Sequence, residues 1–178
     1  IGNRGDDTLN SSARCFGYIF GRNSFENATE TRQFYPNNGA YSSSAFTHFY
    51  IPNSLKEVEV TNISQLVVGA FSNCKYIEKI TLPSTITKIG GAAFRGCTSL
   101  NSLNGNGVVN VPSGVSNIPT YCFYGCSAIE KMTLGAVGSI GDYAFELCNN
   151  LAQINGSRKG ELVIKDGCKT IGKYAFDG

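Results

Sequence analysis

Seven cysteines, a single histidine and one Arg-Gly-Asp tripeptide are the parts of this 178-residue sequence with the most chemistry in them. Thiolates bind metals, attack electrophiles or pair as disulfides, and spacing separates these uses. Cys74, Cys97, Cys126 and Cys148 follow one another at steps of 23, 29 and 22 residues, and no Cys-x-x-Cys pair occurs. That spacing points away from a zinc site, which needs close pairs of ligands. His48 has no companion for a zinc site or a catalytic relay, and no nucleophile, base and orienting group stand together. Neither an enzyme nor a cofactor is expected. Arg4-Gly5-Asp6 lies in a polar stretch and reads either as an integrin-type ligand or as a solvated loop. Charged residues make up 16% of the chain and its net charge is +2, which gives little attraction to nucleic acid or an acidic membrane face. No apolar run nears the ~18 residues of a spanning helix.

The cysteines belong to a repeat. An apolar residue stands five positions before a phenylalanine in Leu66/Phe71, Ile89/Phe94, Ile118/Phe123, Ile140/Phe145 and Ile171/Phe176. A small residue precedes each phenylalanine, and cysteine follows three positions after it in all but the last. Apolar residues come three and six positions after each cysteine, as in Ile77 and Ile80 or Leu100 and Leu103. One such unit cannot bury its own apolar side, whereas stacked units can, so the pattern predicts a solenoid. Segments such as Ile77–Leu82 read as short parallel strands, ended by Pro83 or Pro112. The Ala-Phe-x-x-Cys portion reads as a 3₁₀-like turn. The four aligned cysteines then form a buried ladder of free thiols at about the 4.8 Å strand spacing. The pattern begins by about residue 51 and breaks off at Gly178, one position short of the next cysteine, as a piece of a longer array would.

The steps between coil isoleucines alternate, because extra residues enter after Leu103 and Ile154. Two insert loops on alternate coils would stand about 10 Å apart on one edge. They are either a binding edge, with Asn104, Asn106, Asn155, Arg158 and Lys159 as candidates, or harmless bulges. The outward strand positions form two polar columns, Glu57, Lys79, Ser102, Lys131, Gln153 and Glu59, Thr81, Asn104, Thr133, Asn155. Within them Lys79, Thr81, Lys131, Thr133 and Gln153 are the candidate strand face. No aromatic or arginine cluster anchors these columns, which favours weak or multivalent contact. Tyr121, Tyr143 and Tyr174 share one register as a tyrosine stripe. Residues 1–50 form an aromatic, Ser/Asn-rich segment, read as an elaborated coil of the same solenoid preceding repeats over 51–178. The period-2 spacing of Phe16, Tyr18 and Phe20 suggests a strand there, and the rings serve packing or a sugar or peptide site.

Units such as Ile77-Glu78-Lys79-Ile80-Thr81-Leu82-Pro83-Ser84 and Ile140-Gly141-Asp142-Tyr143-Ala144-Phe145 resemble the BspA-like leucine-rich-repeat family. Phe16–Gly21 and Tyr50–Lys56 also resemble a segment that recurs between repeats of that family. The resemblance implies a leucine-rich-repeat solenoid, a β-rich right-handed superhelix with short 3₁₀ or turn segments. It also implies a secreted or surface location and adhesion to other macromolecules, including matrix proteins such as fibronectin or fibrinogen; surface glycans are the other partners expected. It carries over no catalytic residue, cofactor or metal, and no nucleic-acid or membrane-inserting role. A structural spacer or stalk within a larger surface protein is the alternative.

Overall fold

A computed structural model describes residues 15–178. The Arg4-Gly5-Asp6 tripeptide lies outside the described residues. After a 3₁₀ turn at Phe16–Ile19, strands β1 (Ala28–Phe34) and β2 (Phe46–Pro52) pair as an antiparallel hairpin. Phe16 and Tyr18 therefore sit on a turn and not on the strand that their spacing suggests. Two-residue and three-residue strands follow: β3 (Glu57–Glu59), β4 (Gln65–Leu66), β5 (Lys79–Thr81), β6 (Lys88–Ile89), β7 (Ser102–Leu103), β8 (Val109–Asn110), β9 (Asn117–Ile118), β10 (Lys131–Thr133), β11 (Ser139–Ile140), β12 (Gln153–Ile154), β13 (Glu161–Leu162) and β14 (Thr170–Ile171). These form a parallel β-solenoid of about four turns with almost no helix. One face is a seven-stranded sheet in the order β13-β12-β10-β8-β7-β5-β3. The second face carries β4-β6 and β14-β11-β9.

The strands are short because each coil turns around its phenylalanine. Phe71, Phe94, Phe123 and Phe145 are fully or almost fully buried and stack ring on ring with Phe176 at centroid distances of 5.9, 5.1, 5.6 and 5.1 Å. Phe16 joins the same stack against Phe71 at 5.0 Å, and its N–H donates to Ala70 as Phe71 donates to Ala93. Around each ring the backbone N–H groups two before, at and two after the phenylalanine donate to the next coil. For Phe94 these bonds run from Ala92, Phe94 and Gly96 to Thr120, Cys122 and Tyr124. To aim alternate N–H groups along the axis, the positions two before and two after take left-handed backbone. The latter are Asn73, Gly96, Gly125 and Leu147, with φ between 58° and 72°. Glycine and asparagine enter this region cheaply and leucine does not.

The cysteine ladder closes the same turns. The thiols of Cys97, Cys126 and Cys148 each donate to the carbonyl of the preceding coil's phenylalanine, at 3.0 Å. All seven cysteines are free, and six of them are buried. Burial pushes the Cys15, Cys97 and Cys148 thiols up to about 12 and those of Cys74, Cys122 and Cys126 up as well.

A buried polar network docks the hairpin on the first coil. The Gln33 side chain accepts from the Gly17 N–H at 2.6 Å and donates to the Ser72 carbonyl at 3.0 Å and the Cys74 sulfur at 3.2 Å. The Ser72 hydroxyl accepts from the Phe34 N–H and donates to the Gly69 carbonyl, each at 2.9 Å.

Replacing the strained Leu147 by glycine is expected to stabilise the fold by about 1 kcal/mol, read from the denaturant midpoint. A thiol-reactive dye should label Cys168 alone in the native protein and the other six only after unfolding. Thiols that ionise less readily when folded contribute stability that is complete below the unfolded value near 9.0 and lost as pH rises toward about 12. Melting temperature is therefore expected to fall across that window.

Candidate binding surface

Each long coil lays two strands into the main sheet where a short coil lays one. After Leu103 the chain circles through Asn104–Gly107 and returns as β8, which pairs with β7 on one side and β10 on the other. After Ile154 it returns as β13 beside β12. The inserts are thus miniature coils, and three strand spacings, about 14 Å, separate their equivalent strands β7 and β12 instead of the expected 10 Å. Seven strands then face five phenylalanine rungs from Phe71 to Phe176.

Asn104 and Asn155 hold the inserts in place. Both take left-handed backbone, at φ 51°. The Asn104 side-chain oxygen accepts from the Leu82 N–H at 2.7 Å, and that of Asn155 from the Leu134 N–H at 2.8 Å. Their backbone N–H groups bond Ile80 and Met132 of the preceding coils. Asn155 also donates its side-chain amide to Val163. Both are half-buried staples and do not point outward as the columns suggest. Ser102 leaves the outward column too: it is 4% exposed and accepts from the Gly107 N–H at 2.7 Å. In the second insert the Glu161 carboxylate accepts from the Ser157 N–H and hydroxyl and the Arg158 N–H. The bond from the Ser157 backbone does most to hold this carboxyl below its usual range. Arg158 and Lys159 are exposed at the tip of that closed loop.

The remaining candidates gather in two places. A shallow groove of 680 Å³ brings Lys79 and Thr81 of the strand face beside Asn104 and Asn106 of the first insert, with Ser84, Asn110 and Ser113 completing its polar wall. A smaller hollow of 130 Å³ joins Lys131 and Gln153 with Lys159. Thr133 stands between them and donates to Asn110 at 2.6 Å. Asn110 is the groove residue that repeat alignment overlooks, because it lies on a strand the repeat does not possess; the Asn104-x5-Asn110 spacing is its only trace. Lys79 pairs with Glu57 at 3.5 Å, an exposed pair worth little. The tyrosine stripe exists, with Tyr121 and Tyr143 stacked at 4.7 Å and half-buried, and Tyr174 exposed. His48 is exposed on β2 opposite Arg32.

Replacing Asn104 by alanine is expected to cost about 2 kcal/mol in urea unfolding, through the orphaned Leu82 N–H and the strained φ, while Asn106→Ala stays within about 0.5 kcal/mol.

The family description BspA type Leucine rich repeat region matches residues 64–178 in six copies. No curated protein matches the chain significantly. Among solved structures, a leucine-rich repeat protein from Bacteroides ovatus is similar at 25% identity and a TM-score of 0.57 over 86% of this chain. The T. pallidum leucine-rich repeat protein TpLRR is similar in fold, at 21% identity and a TM-score of 0.59 over 88% of this chain. A leucine-rich cell surface protein from Faecalibacterium prausnitzii aligns over 78% at 21% identity and a TM-score of 0.46. The chain spans 38%, 66% and 42% of the lengths of these three structures. With its repeats matched over more than half its length and its coils stacked as a parallel solenoid, the chain belongs to the BspA-type leucine-rich-repeat family.

Proposed function

We propose that this chain is a non-enzymatic binding module of a secreted or cell-surface protein, and that it serves adhesion to host or neighbouring-cell macromolecules. Membership of this repeat family supports a protein-interaction or surface repeat module. The observation that carries it is the groove beside the first insert, where Lys79, Thr81 and Asn106 line one opening on strands held by coil-to-coil hydrogen bonds. Polar groups presented on a rigid frame recognise a partner at small ordering cost. Polar columns without an aromatic or arginine anchor make weak single contacts, so strength comes from repetition along an array. Fibronectin and fibrinogen are the partners the family resemblance suggests, and surface glycans are the other candidates.

A spacer role is the second reading, and one observation favours it. The sheet columns contain no tryptophan, tyrosine or arginine of the kind that anchors tight interfaces.

The test is a titration of the chain, displayed as a tetramer on streptavidin, against immobilised fibronectin, fibrinogen and a glycan array. Saturable binding that Lys79→Glu with Asn106→Arg weakens at least tenfold is the expected result. Absence of saturable binding to every surface would favour the spacer.

A further inference from the structure

A second opening lies where the hairpin meets the first two coils, away from the sheet face. It has a volume of 320 Å³ and is lined by Glu30, Arg32, Tyr41, Ser43, Lys75 and Arg95, with Thr31, Phe34 and Asn73. Three cations face one carboxylate there. Neither Arg32, Lys75 nor Arg95 has an ion-pair partner among the described residues.

Both guanidiniums lie over aromatic rings. Arg32 lies 3.6 Å from the centroid of Phe46 and donates once, to the Ser43 carbonyl at 2.9 Å. Arg95 sits between Phe34 at 5.2 Å and Tyr124 at 4.6 Å. Among the described residues no acceptor meets the Arg95 side chain, and its Nε is fully buried without a partner. A guanidinium packed against rings still presents its terminal N–H groups, and paired N–H groups grip an oxyanion with two bonds. A half-buried cation with unmet donors is costly until an anion arrives. The Tyr41 hydroxyl belongs to the same field: burial raises its pKa, while Arg95 and Arg32 pull it down.

The anion is compact in form. An extended acidic peptide would dock most readily by adding a strand to β1. That edge is already closed, because the Asn73 amide takes the Arg32 carbonyl and the Ser72 hydroxyl takes the Phe34 N–H. What the cleft offers instead is a cationic fork pair, hydroxyl and amide groups and one half-buried aromatic ring, in a volume at the lower end for small-ligand sites. We propose that this cleft binds an acidic saccharide, gripping a carboxylate or sulfate oxyanion between Arg95 and Arg32 while Tyr41 and Ser43 meet the sugar. The proposal stands independently of the sheet-face reading.

The test is calorimetric titration of the full chain with a sulfated heparin disaccharide, a glucuronate-containing hyaluronan tetrasaccharide, a neutral chitotetraose and a penta-aspartate peptide. Saturable, salt-sensitive binding of at least one acidic saccharide, without chitotetraose binding, is expected. The two acidic sugars separate sulfate from carboxylate recognition. Arg95→Gln should weaken that binding about tenfold or more, the loss of one charge-assisted bond. Arg95→Lys should restore only part of it, and Lys79→Glu with Asn106→Arg should leave it unchanged. Because Arg95→Gln could unfold the protein, Arg32→Gln, on the hairpin's exposed face, provides the second loss, with circular dichroism confirming the fold of each variant. The proposal fails if neither acidic sugar binds, if both arginine variants bind as tightly as the parent, or if penta-aspartate binds equally well with the same arginine dependence.

Discussion

Every coil of this protein has to return its backbone to the axis within one tight turn while still offering hydrogen bonds to the coil above. It meets both demands by alternation. Around each phenylalanine, every second N–H points along the stack and is taken by the next coil, as from Phe123 to Ala144 and from Gly125 to Glu146. Such alternation within a turn requires left-handed backbone on either side of the ring, and there the chain places Gly69, Ala92 or tyrosine before it and asparagine, glycine or Leu147 after it. The buried phenylalanine stack fills the space these turns enclose. The cysteine thiols meet the second lone pair of each phenylalanine carbonyl, so even the polar atoms of the turn are satisfied. A thiol is small enough to stack at strand spacing and still donates one bond, which alanine cannot do.

The inserts use the same logic at a smaller scale. An added loop in a solenoid commonly projects from the edge, but here each one closes into a miniature coil that pairs into the sheet. Asn104 and Asn155 make this possible, since asparagine tolerates the left-handed turn and its side-chain oxygen caps the neighbouring strand. The groove of the polar sheet forms where the first miniature coil meets the strand of Lys79 and Thr81.

The N-terminal segment joins the solenoid by a different kind of contact. Phe16 extends the ring stack by one place, but the hairpin is antiparallel and contributes no strand to either solenoid sheet. Gln33 and Ser72 fasten it, each buried and each with its donors and acceptors matched. The arginines gathered above this junction come from segments 63 residues apart in the chain, Arg32 and Arg95. Aromatic rings from both segments pack against them.

Much of the solenoid was legible from the chain alone. The repeat of Ile, Phe and Cys marks the rungs, because side chains stacked in one register must all be of a kind that packs on itself. The strand segments, the free thiol ladder and the half-buried tyrosines follow from that register. The spacing of Phe16, Tyr18 and Phe20 misled, since a period of two in so short a run carries no information about the pairing partner that a strand requires. The roles of Asn104 and Asn155 were also hidden: as types they belong equally to exposed loops and to caps, and only the neighbouring Leu82 and Leu134 N–H groups decide between them. Local sequence determined which residues turn and which face inward. Tertiary structure decided where distant side chains meet, because the insert strands, the groove and the arginine cleft arise from pairings between coils that no single repeat encodes.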